Sequence, residues 1–323
     1  MTRGRKVRIG LAAATLAALA ACEEPPAPAP VPDPVPEAVP APPPPPDPAP
    51  EVQPRSEAST ALAAYYRRLQ ANLLAQGLMR TDGGGPDTAF TGSQLGRNFV
   101  RIALFDEYTQ RGEVLEARQT LSTLRRWEGP VRMQVGFGAS VPEDQRVQDR
   151  NAIGAYARRL GRVTGHPVST VQDGGNFHVL VLNEDDRLAY GDSLRALVPG
   201  IAESSVRAFL SPPRSTLCLV IAFSDGSSPG YTQAVALIRG EHPDALRLAC
   251  IHEELAQGLG LPNDSPLARP SIFNDDDEFA LLTGHDEMLL RILYDDRLRA
   301  GMSAAEAAPI GRAIAEELLG GGA

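Results

Sequence analysis

Lysine is almost missing from this 323-residue chain: Lys6 is the only one. Without it the chain has no Schiff-base catalyst and no phosphate-binding P-loop lysine. Aromatic residues are scarce at 5%, with one tryptophan, and there are three cysteines. Positive charge is also short, 31 Lys+Arg against 40 Asp+Glu, a net of −9. Four of those cations, Arg3, Arg5, Lys6 and Arg8, precede residue 22, so the chain beyond it carries 27 against 40, or −13. A surface that acidic repels phosphate backbones, which excludes nucleic acid as a partner. Beyond the first residues no apolar run approaches 18, so no downstream membrane crossing is expected.

What is present begins with an address. The four basic residues are followed by a small-residue apolar stretch, Ile9 to Ala21. That is too short for a spanning anchor and suited to a signal peptide over residues 1–21. Leu19-Ala20-Ala21-Cys22 resembles the bacterial lipoprotein box. The resemblance implies cleavage before Cys22 and lipid attachment there, a lasting membrane anchor. Residues 22–55 continue as a linker, and 16 of the 32 residues 23–54 are proline. Such a segment favours polyproline II and reaches up to about 100 Å, a stalk between membrane and body. Glu23 after the lipid cysteine favours the outer membrane, facing the periplasm, by resemblance to known sorting behaviour. In that oxidising compartment Cys218 and Cys250 either pair or remain two buried thiols, since both lie in apolar surroundings.

About 265 residues, Ser56 to Gly320, remain to fold. Residues 56–126 read as a helical N-terminal segment, with helical spacing over 57–78 and again over about 92–110. Residues 112–125 fit strand or helix equally. From Trp127 to residue 320 the texture is α+β. Strands are expected at 131–137, 168–171, 177–183, 217–223 and 234–239. Helices are expected at 142–164, 244–260, 286–294 and 303–319.

The helix over 244–260 carries the candidate chemistry. His252-Glu253 begins a zinc-protease motif that fails, because the second histidine would fall on Ala256. Shifted by one residue, Glu253-Glu254-x-x-Gln257-x-x-Gly260-x-x-Asn263-Asp264 has the spacing of His-Glu-x-x-His-x-x-Gly-x-x-His-Asp. The body therefore resembles a metzincin, a matrixin-like zinc peptidase, whose three zinc histidines have become Glu253, Gln257 and Asn263. Glu254 stands where that family keeps its general base. Pro270-Ser271-Ile272-Phe273-Asn274 resembles the Met-turn, with Phe273 at the methionine. Leu282-Thr283-x-x-Asp286 through Tyr294 resembles the closing helix. The phrases IHEELAQGLGLPNDS and RPSIFNDDDEFALLTGHDE resemble domain-of-unknown-function family 2927, a family of bacterial lipoproteins, which implies no activity.

These substitutions have a physical consequence. Zinc prefers imidazole and thiolate, whereas Gln257 and Asn263 offer neutral amide oxygens and Glu253 the single ligand charge. Zinc is therefore not expected, although a harder divalent ion tolerates oxygen donors, with His252 or Asp264 as further ligands. Without a metal, Glu254 has nothing to acidify a water. The expectation is a lipid-anchored envelope protein with an inactive, pseudo-peptidase domain that binds a peptide or an envelope protein by strand addition. The alternative is a metal-dependent peptidase using Glu254 as base. The run Asn274–Glu278 lacks calcium-loop spacing and reads as a solvated acidic loop, and His285 as a helix cap.

Overall fold

The computed structural model describes residues 53–111, 114–226 and 228–320. The expected signal peptide over residues 1–21, Cys22 and residues 23–52 of the expected linker lie outside the described residues.

The helical N-terminal segment begins with α1 (Glu57–Ala75), capped by the Ser56 hydroxyl, and continues with α2 (Gly92–Ala103), closed by a Thr91–Gln94 capping box. The second helix is shorter than its expected span of 92–110. Phe105 starts a strand, β1 (Phe105–Arg111), that pairs antiparallel with β2 (Val114–Leu121). Phe105, Tyr108 and Thr109 in the first run and Val114 and Thr120 in the second favour strands over a longer helix.

The body then follows the expected order: β3 (Val131–Phe137), α3 (Glu143–Thr164), β4 (Val168–Val171) and β5 (Phe177–Leu182). Three short helices follow, α4 (Glu184–Leu188), α5 (Gly191–Leu197) and α6 (Glu203–Leu210). The chain closes with β6 (Cys218–Phe223), β7 (Gln233–Arg239), α7 (Asp244–Gln257), α8 (Gly284–Leu293) and α9 (Ala304–Gly320).

The five-stranded sheet has the order β4-β3-β5-β7-β6, parallel except for β6, which runs antiparallel at one edge. Central β5 is buried along its whole length and β7 nearly so, hence the unbroken apolar runs FHVLVL and AVALI. One face packs on α3 and α7 through Val179, Val181, Ala236 and Ile238. The other packs on α5 and α6 through Leu180, Leu182, Val235 and Leu237.

The N-terminal segment is built into this body. Leu95, Phe99 and Ile102 of α2 belong to the main core, together with Ile314 and Ala315 of α9. A Cβ at Gly311 of α9 would stand 2.4 Å from the Phe99 ring, so the contact between the two helices needs glycine there. Tyr66 and Leu73 of α1 pack separately against Met79, Leu246 and Ala280. No helix among the described residues is long and apolar enough to cross a membrane.

Candidate functional site

Helix α7 is held at its N-terminal end by a buried arginine. Arg247 donates to Asp149 Oδ1 of α3 (2.7 Å), to the His242 carbonyl (2.6 Å) and to Asp244 Oδ1 (2.9 Å). Burial still pushes the Asp149 carboxyl up, against the pull of Arg247. One turn later Cys250 is joined by a disulfide to Cys218 at the start of β6, with a Cα–Cα distance of 5.8 Å. The edge strand and the helix are thereby tied side by side.

Beyond that tie the two faces of α7 diverge. His252 turns into the body, where its ring stacks on Tyr156 with centroids 3.9 Å apart. Its Nδ1 accepts from Leu282 N at 3.0 Å, and Tyr156 donates to its carbonyl. Burial, reinforced by Arg159, pushes the imidazole pKa down to about 3, so the ring is a neutral acceptor. The geometry corrects the reading of His252 as a cleft ligand: it is an integral part of the core.

Glu253, Glu254 and Gln257 line a cleft of ≈ 380 Å³, and Asp264 joins them from the following loop. Gln257 Nε2 donates to Asp264 Oδ1 over a long 3.4 Å. Glu254 is 4% exposed and Gln257 9%, so both are set deep. The chain leaves the helix through Gly260, whose φ of +126° suits glycine. A Cβ at Gly260 would lie 2.2 Å from the Arg125 carbonyl oxygen. The turn occurs where the motif spacing placed it, yet it does not bring Asn263 to the cleft. Asn263 is fully buried and its Nδ2 donates to the Arg101 carbonyl at the end of α2 (2.7 Å). Of the three positions that the motif spacing would give to zinc ligands, Glu253 and Gln257 line the cleft and Asn263 does not. Among the described residues no group of three His, Cys, Asp or Glu side chains is placed to hold a metal ion. The donors along the cleft, the carboxylates of Glu253, Glu254 and Asp264 and the amide of Gln257, include neither imidazole nor thiolate and do not fit zinc.

Phe273 at the Met-turn position is fully buried, and its carbonyl accepts from Ser265 N. The loop that carries it is fastened by Asp286. This fully buried carboxylate accepts from Ser271 Oγ (2.5 Å), Ile272 N (3.1 Å), Thr283 N (2.9 Å) and Thr283 Oγ1 (2.8 Å). Thr283 and Asp286 also form the capping box of α8. His285 is not the cap. It is buried against α2, with Nε2 3.0 Å from Asn98 Nδ2 and its ring edge-on to Phe90.

Sequence reasoning missed the opposite wall. Leu217, just before β6, and Leu219, Val220 and Ala222 along it line the cleft, and the outer side of β6 is paired by no strand among the described residues. Met79, Leu246 and Ala280, which also pack against α1, line part of it, and Ile272 and Phe279 add apolar surface. Asp275 and Asp277, read as plainly solvated, belong to its rim. No local pattern separates an edge strand from a central one in a run such as CLVIAF; strand order decides it.

Residues 92–313 match the family described as Protein of unknown function (DUF2927), which covers more than half of the chain, and the chain belongs to that family. No curated protein and no solved structure matches it.

Proposed function

We propose that this member of the DUF2927 family is a lipid-anchored envelope protein whose cleft binds an extended peptide or protein segment by adding it to the open edge of β6. One observation carries the reading: the outer edge of β6, paired by no strand among the described residues, forms one wall of a cleft whose other wall is α7. Outward N–H and C=O groups of such a strand give main-chain hydrogen bonds to any extended chain, and the adjoining pockets select side chains. The Cys218–Cys250 disulfide holds the two walls together.

The frame is metzincin-like in this proposal. Its support is the run from strand and long helix through a mostly parallel sheet to α7, Gly260 and the buried Phe273 loop. The peptidase chemistry is absent from the reading, because His252 is a core residue and Asn263 serves α2. The lipid on Cys22 and the proline-rich stalk would hold the body on the periplasmic side of an outer membrane.

Hydrogen exchange tests the reading. Peptide binding should slow exchange of the amides over 218–223, and methylating alternate backbone nitrogens of the peptide should abolish both effects. Protection confined to other elements would reject strand addition. Glu254 does lie in the cleft, and this keeps a hydrolytic reading in view. A peptide-cleaving activity retained after exhaustive purification and lost in Glu254→Gln would replace binding by catalysis.

A further inference from the structure

We infer that the segment received by the cleft is basic, an extended chain with arginine or lysine at alternate positions; this rests on the strand-addition reading above. Charge on the cleft walls selects such an occupant. Glu253, Glu254 and Asp264 lie along the cleft and Asp275 and Asp277 at its rim, while no arginine or histidine is among its described lining residues.

The rim is the informative part. Two arginines, Arg80 and Arg269, bind acids close to it, but both are committed elsewhere. Arg80 is engaged by Asp82, Asp87 and Glu278, and Arg269 by Glu278 and Asp87. Neither reaches Asp275 or Asp277, and no ion pair among the described residues involves these two. Partial burial and then the neighbouring Asp276 and Asp275 hold the Asp277 carboxyl above its ordinary range, as like charges do when no cation stands beside them.

The strand period turns this charge into a pattern. Side chains of an added strand alternate between its two faces. The set turned to the α7 side of the sheet would meet the acids of the floor and rim, and the other set would lie on the apolar side of β6 that carries Leu219 and Phe223. An alternating apolar–basic segment satisfies both, and a negatively charged one is repelled, since charge complementarity sets partner choice more than area does.

The test uses the purified full chain and fluorescein-labelled extended peptides that alternate valine with arginine, serine or glutamate, followed by fluorescence anisotropy. The arginine peptide should bind at least about tenfold more tightly than the serine peptide, and the glutamate peptide least. Raising salt from about 50 to about 500 mM should erase most of that preference, because the rim charges are solvent-exposed. Asp275→Asn/Asp277→Asn should bring the arginine and serine peptides close together. Asparagine also tolerates the left-handed backbone at Asp277, whose φ is 55°. If the double variant does not fold, Asp275→Asn alone, at an exposed position, should lower the preference in part. Equal binding of arginine and serine peptides, or a preference untouched by these variants, overturns the basic occupant and leaves strand addition standing. Binding of none of the peptides overturns both.

Discussion

His252 and Glu254 are two residues apart on one helix and face different solvents. His252 stacks on Tyr156 and accepts a backbone hydrogen bond inside the body, whereas Glu254 borders the cleft. The same division separates Asn263, closed onto the Arg101 carbonyl, from its neighbour Asp264, which lines the cleft. Residues on the first side hold the frame and should be costly to change. Those on the second leave the frame intact and should show their effect in ligand binding. Polarity alone therefore does not mark a functional residue; the direction its side chain takes from the backbone does.

The largest effect is expected where backbone and buried carboxylate hold the cleft loops. Asp286→Ala strands the Ile272 and Thr283 amides in the interior and should cost about 3–5 kcal/mol in urea unfolding. Gly260→Ala should be of similar size, since its Cβ would meet the Arg125 carbonyl at 2.2 Å. A cost below about 1 kcal/mol for both would show that these loops do not support the fold.

Breaking the disulfide comes next. Cys218→Ser/Cys250→Ser opens a loop with a sequence separation of 32. By chain entropy it should lose about 3–4 kcal/mol, measured against the oxidised parent. It should also weaken peptide binding, because the strand is no longer tied to the helix.

Acid gives a third, smaller effect. The folded-state pKa of His252 is about 3, below its ordinary 6.5. The unfolded chain takes up a proton that the folded chain refuses, so this stability is whole above 6.5 and is lost as pH falls from there toward 3. Between pH 6.5 and 4.5 the loss should be about 2–3 kcal/mol, at about 1.4 kcal/mol per unit. His252→Gln should flatten that part of the pH profile measured by urea unfolding. An unchanged slope would mean that other groups set the acid sensitivity.

The smallest stability effect belongs to the cleft side. Glu253→Gln sits at a half-exposed lining position and should change stability by less than about 0.5–1 kcal/mol. A loss as large as that of Asp286→Ala would erase the division between the two sides of α7.

Much of this architecture was legible in the residues. The apolar runs of β5 and β7 read as strands because both faces of a central parallel strand are buried. The spacing from Glu253 to Gly260 located the helix, its exit and three of the cleft residues. Thr283-x-x-Asp286 marked the start of α8, though not that the same carboxylate also fastens the Phe273 loop. Of the two strands after α2, β1 falls within the expected helix over 92–110 and β2 within a stretch that fits strand or helix equally, because seven or eight residues of mixed polarity carry no decisive period; their pairing with each other settles them.

The sequence by itself determined the order of strands and the main helices from Val131 onward, the acidic charge and the oxygen-donor character of Glu253, Glu254 and Gln257, because each follows from side-chain chemistry and spacing along one chain. Tertiary structure decided the rest: that β6 is the edge, that Cys218 meets Cys250, that Asp275 and Asp277 border the cleft, and that His252 and Asn263 do not. Each of these depends on which surface a residue faces once distant segments pack. Spacing within a helix gives a residue's angle around the axis, and only the packed neighbours say whether protein or solvent lies in that direction.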